Sequence, residues 1–160
     1  MFGRLAPALI AVLLIGGCGI RNGERAMQTT LTTQQAAQRV DEHITTAIGQ
    51  VLPQPTLRAG LKSTMSCDDP SDRGPAGRVT VEHRYTLPDL PRTANKAAFD
   101  TLAGYWTRLG YRILRDERDQ RLPELAAETD DGFAVILTTN VVGELAIVGS
   151  SPCIWPTGKP

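Results

Sequence analysis

The 160-residue chain has no basic excess: Lys plus Arg number 17, as do Asp plus Glu. Such a balance neutralises no phosphate backbone, so nucleic acid is not an expected partner. Aromatic residues are only 5%, which also argues against a base-stacking surface. Gly-x-Ser-x-Gly, His-Glu-x-x-His, a Walker loop and Cys-x-x-Cys are all absent, leaving no recognisable catalytic or cofactor motif. No stretch reaches the 18 consecutive apolar residues a transmembrane helix needs. What the chain does have is a 41% hydrophobic share, enough for one ordinary domain with a core rather than a disordered chain.

The first 17 residues are expected to lie outside that domain. Arg4 and the amino terminus form a short positive region, and Leu5 to Ile15 is an apolar run broken only by Pro7. At about 11 residues it is too short to cross a bilayer as a helix and suits the apolar region of a signal peptide. It ends Ile15-Gly16-Gly17-Cys18, an aliphatic residue and two small ones before Cys, like a bacterial lipobox. Lipidation is therefore expected at Cys18, whose diacylglyceryl group would supply the two acyl chains a stable anchor takes. The expected organisation is a signal peptide over 1–17, a tether over 18–31, one domain over 32–157 and a tail over 158–160. The tether would have a root-mean-square span of roughly 20 Å. The partner this implies is the lipid bilayer, on the extracytoplasmic side of the cell membrane.

Export would place Cys67 and Cys153 in an oxidising compartment, where an even pair favours a disulfide. Two free thiols or a shared metal are the alternatives. A metal would need further ligands, and neither His43 nor His83 is close in sequence.

Along the domain, Thr32 and Gln35 have capping-box spacing. Val40, Ile44, Ile48, Val51 and Leu52 then recur with a helical period, giving a helix over about 33–52 that Pro53 and Pro55 end. A short strand over 57–66, weakened by Gly60, leads to the turn-rich stretch 68–75. Strand two, 78–87, alternates Val79, Val81, His83, Tyr85 and Leu87 against polar residues, the pattern of a sheet with one covered and one wet face. A second helix, 94–109, buries Ala98, Phe99, Leu102, Trp106 and Leu109 and stops at Gly110. Strands follow at 111–116, 124–129, 133–139 and 144–149, with Asp130-Asp131-Gly132 as a hairpin turn and another turn over 140–143. The order α-β-β-α-β-β-β-β points to an α+β fold, an antiparallel sheet with both helices packed on one face.

Few side chains invite a chemical reading. His83, on the covered face of strand two, is expected to be at least partly buried and structural. The alternative is a ligand contact or general base, which needs a carboxylate within about 3 Å in a cleft. Asp68, Asp69 and Asp72 do not match a Ca²⁺ loop and read as turn caps, so no metal is expected. Asp130 and Asp131 beside Glu128 resemble a carboxylate pair but sit at a hairpin tip. Trp155 is expected to fold over a sheet edge, or alternatively to anchor a partner, as interface tryptophans do.

Taken together, Cys67-Asp68-Asp69-Pro70, Phe99, Trp106, Gly110-Tyr111, Asp131-Gly132-Phe133 and Ser151-Pro152-Cys153-Ile154-Trp155-Pro156 resemble a family of small actinobacterial secreted lipoproteins, over roughly residues 33–157. The resemblance implies an extracytoplasmic location and the Cys67–Cys153 pair, and carries over no activity and no site. The leading expectation is a membrane-anchored binding or envelope-associated domain without a catalytic site. A small-ligand or lipid carrier with a cavity between sheet and helices, and an enzyme using His83, are the alternatives.

Overall fold

The computed structural model describes residues 30–67 and 74–160. Cys18 and the Asp68, Asp69 and Asp72 group lie outside them. The elements are α1 (Thr33–Gly49), β1 (Arg58–Ser66), β2 (Val79–Thr86), a 3₁₀ turn (Arg92–Ala94), α2 (Asn95–Leu109), β3 (Arg112–Asp116), β4 (Glu124–Glu128), β5 (Ala134–Thr139) and β6 (Leu145–Ser150). The six strands form one sheet in the order β1-β2-β6-β5-β4-β3, antiparallel at every junction. The fold is α+β, as the alternation of periods predicts.

Cross-strand register decides which residues meet the helices. Tyr85, Ile147, Leu137 and Leu125 stand in one row, and His83, Gly149, Val135 and Ala127 in the next. These rows join Val40, Ile44 and Ile48 of α1 and Phe99, Leu102 and Trp106 of α2 in one core, so both helices cover the same face. Gly149 sets how closely α1 approaches: a Cβ there would meet Val40 and Ile44 at 3.0 Å. A larger residue would lift the helix off the sheet.

Local chemistry fixes the helix ends. Gln35 N donates to Thr32 Oγ1 (3.2 Å) and Thr32 N donates to Gln35 Oε1 (2.9 Å), satisfying two donors the first turn would otherwise orphan. α1 stops at Gly49, three residues before the predicted end, because Val51 and Leu52 both turn back to Ile48 O ahead of Pro53. Gly110 closes α2 with φ +76°. Leu109, the last residue of the predicted stripe, is exposed, since it lies on the turn that Gly110 unwinds.

Two boundaries differ from the sequence reading. Thr30 and Leu31, expected in the tether, belong to the domain: Thr30 N donates to Gly158 O (2.9 Å) and Trp155 N donates to Thr30 Oγ1 (2.8 Å). Gly158, expected in the tail, is buried by the same contact. The C-terminal segment also pairs with the sheet through Val79 and Ile154, and it is crosslinked to the end of β1 by the Cys67–Cys153 disulfide, Cα–Cα 6.0 Å. In β3 the expected strict alternation fails, because the register shifts between Ile113 and Arg115.

Candidate functional site

Helix α1 carries charged groups on both flanks of its buried stripe. Asp41 follows Val40 and leans toward β1 and β2. His43 precedes Ile44 and leans toward the β4–β5 turn. Each joins the sheet through a carboxylate, and the two junctions differ in what surrounds them.

At the first junction Asp41 is the hub. His83 Nδ1 and Tyr85 Oη each lie 2.7 Å from Asp41 Oδ1, and Lys62 Nζ lies 3.3 Å from Oδ2. Lys62 also stands 5.3 Å from the Tyr85 ring centre. Burial disfavours the Asp41 charge, but hydrogen bonds from His83, Tyr85 and Lys62 outweigh that and hold its carboxyl below the usual range. Burial, together with the neighbouring carboxylate, raises the Tyr85 phenol despite the opposing pull of Lys62. His83 is 6% exposed, as expected for a residue on the covered face. The acid that an enzyme reading required is present at 2.7 Å, yet neither of the two clefts described below is lined by His83. The arrangement acts as a polar clasp between α1 and the β1–β2 hairpin.

At the second junction Asp131 is the hub. Arg39 Nε donates to Oδ2 at 2.8 Å, and His43 Nε2 lies 3.1 Å from Oδ1 and 3.2 Å from Oδ2. Thr129 Oγ1–H reaches Oδ1 at 2.6 Å while accepting from Phe133 N at 3.0 Å. Burial pushes the Asp131 carboxyl up, but Thr129, Arg39 and the His43 ring together pull it down to about 2. The His43 ring also packs on Phe133, centres 5.1 Å apart. Gly132, at φ +83°, lets the turn place Asp131 here; a side chain would be strained in that left-handed conformation.

This second junction borders a surface cleft of about 850 Å³. One wall is α1, through Gln35, Gln38, Arg39 and Glu42. The facing wall is the β4–β5 turn, through Glu128, Asp130 and Asp131. Leu31 and Pro152 supply apolar surface, Phe133 and Ile154 lie beneath it at 2% exposure, and Thr30, the first described residue, also lines the cleft. Most of its charges are paired: Arg39 with Glu42 and Asp131, Glu128 with Arg112 at 2.6 Å. The exposed Asp130 side chain makes no hydrogen bond or ion pair among the described residues. A second cleft, about 370 Å³, lies against Asn95, Phe99 and Arg118, where Asp116 and Asp100 hold the guanidinium.

The remaining sequence candidates fall as follows. Trp155 is only 8% exposed and packs near Gly77, before the start of β2, rather than over an edge strand, so its ring is not an exposed partner anchor. Asp130 and Asp131 stand on the turn as expected, but Asp131 is bound up in a network that sequence alone did not reveal. No group of three or more His, Cys, Asp or Glu side chains capable of holding a metal occurs among the described residues. No helix among them is long and apolar enough to cross a membrane. The side chains between sheet and helices are closed to solvent. Arg39 and Asp41 were missed as site residues. Their only sequence signal is a charge directly flanking the apolar stripe. Comparison with family models, curated proteins and solved structures finds no match to the chain.

Proposed function

We propose that the protein is a lipid-anchored, extracytoplasmic binding domain of the kind found among small actinobacterial lipoproteins, and that its binding site is the cleft between α1 and the β4–β5 turn. The observation that carries the reading is the cleft itself. It is open, has apolar surface between polar walls, and is backed by a preorganised Asp131 network, a combination typical of recognition sites. Its position in the chain adds support: Thr30 lines the cleft and follows Cys18 by only 12 residues, so a diacylglyceryl Cys18 would tether the cleft to the bilayer. The closed core favours this reading over a carrier with an internal cavity. That His83 lines neither cleft favours it over an enzyme built on His83.

The anchor is tested by metabolic labelling with a radioactive fatty acid. The full chain is expected to take up label and Cys18→Ala to lose both label and processing at that site. Wild-type protein without label would contradict the anchor.

A further inference from the structure

The sheet ends in two open edges, β1 and β3, and they are built differently. β3 is five residues long, carries Arg112, Arg115 and Asp116, and has its register broken in the middle, between Ile113 and Arg115. Short length, charge and a bulge are devices that keep an edge from pairing with another chain. β1 is nine residues long. Its own register shift falls near its start, between Ala59 and Lys62, and leaves Lys62 to Ser66 in unbroken pairing with β2. The one charge in that stretch, Lys62, is drawn back over the sheet to Asp41 at 3.3 Å and to the Tyr85 ring.

The register fixes which backbone groups point outward. Cys67 N donates to Arg78 O (3.0 Å), so further along the same ladder Met65 and Ser63 turn their N–H and C=O toward β2, opposite Thr80 and Glu82. Lys62 and Thr64 turn theirs to the other side, where no strand of the sheet stands. Lys62 lies opposite His83, on the helix side of the sheet; Leu61, Ser63 and Met65 alternate with it on the far side. Leu61 is 62% exposed and Met65 45%.

This stretch is complementary to itself. With a twofold axis at Ser63, an antiparallel second β1 sets Lys62 opposite Thr64 and Thr64 opposite Lys62, each pair exchanging two backbone hydrogen bonds. Leu61 then falls opposite Met65, and Met65 opposite Leu61, so the two apolar side chains that the strand exposes cover each other. No like charges meet. We infer that β1 pairs in this register with β1 of a second copy of the chain, joining two sheets into one. The contact is isologous and closes on itself, and the guarded β3 edge at either end stops further addition. Pairing over so short a stretch buries less than a standard interface, so association is weak in solution and strengthens where copies share a membrane. The contact lies wholly on β1 and does not depend on the cleft reading.

Cysteine crosslinking in intact cells expressing the full chain tests this. At the axis Ser63 meets its own copy in a non-hydrogen-bonded pair, Cα atoms about 4.5 Å apart, within reach of a disulfide. Ser63→Cys is expected to give a disulfide-linked dimer on a non-reducing gel after mild oxidation. Thr64→Cys and Met65→Cys, whose own copies are displaced along the strand by about 7 Å or more, are not. Adding Thr64→Pro to Ser63→Cys removes an N–H that the chain's own ladder does not use. It should lower the dimer yield about tenfold, because the twofold axis deletes two hydrogen bonds at once. If Thr64→Pro melts below its parent, Met65→Lys, confined to an exposed side chain, carries the same expectation. Ser63→Cys protein that melts like wild type and forms no dimer, or bridges only to another protein, would overturn the inference. So would equal dimer from all three cysteine positions, the mark of random collision.

Discussion

The two carboxylate hubs of α1 use nearly the same chemistry to different ends. Asp41 and Asp131 each gather a histidine and a further cation, and each carries a carboxyl lowered from its ordinary value. Around Asp41 the partners come from β1 and β2, and His83 is closed beneath the helix. Around Asp131, the carboxylate itself and Arg39 line an open cleft, while His43 and Thr129 stand behind it. A histidine–carboxylate pair therefore does not mark a site by itself; the space beside it decides. His83 drew attention in the sequence because a histidine on an apolar face is conspicuous, yet the structure shows it buried against Asp41 and lining neither cleft. Asp131 looked like an ordinary turn residue and forms part of a cleft wall.

The comparison can be broken from both sides. The largest effect is expected from the covalent tie that holds the C-terminal wall of the cleft. Removing the Cys67–Cys153 bridge, as Cys67→Ser with Cys153→Ser, should cost about 2–5 kcal/mol and lower the melting temperature on the order of 10 °C, read by circular dichroism. Exported, unreduced, denatured wild-type protein should show no alkylatable thiol at these two positions.

The clasp comes next. His83→Gln should destabilise by about 1.5–3 kcal/mol, the usual range for a hydrogen bond to a charged group, while leaving binding at the cleft intact. Loss of binding in a fully folded His83→Gln protein would reverse the roles assigned to the two hubs.

The smallest effect is electrostatic. Asp131 has its carboxyl at about 2 when folded, below its ordinary 3.8. The stability this supplies is fully present above about pH 4 and is lost as pH falls through about 2. With the side chain 40% exposed, solvent screening limits the contribution to about 1 kcal/mol. Acid titration of Asp131→Asn should therefore show a shallower loss of stability between pH 4 and 2 than wild type. Identical acid limbs would mean the network contributes nothing to folding.

Much of the fold was legible because its signals are local. The helical stripe Val40–Ile44–Ile48, the alternation of β2, the Asp130-Asp131-Gly132 turn and the Thr32–Gln35 capping box each report a period or a turn that needs no tertiary knowledge. The strand order was not legible, since the junction that unites the β1–β2 hairpin with the β3–β6 meander is non-local, pairing Glu82 of β2 with Ser150 of β6. The site was less legible still. Asp41 meets His83 across 42 residues and Arg39 meets Asp131 across 92, and only the close approach of α1 over Gly149 brings them together.

The central claim is that the Asp131 side of α1 is open to a ligand and the Asp41 side is not. Photo-crosslinking from Gln38, in the cleft, and from Lys62, beside the clasp, compares the two directly in membranes containing the anchored chain. The account predicts specific adducts from Gln38 and, beyond the pairing of β1 between copies, only background from Lys62. Adducts from Lys62 to any other molecule with none from Gln38 would contradict it.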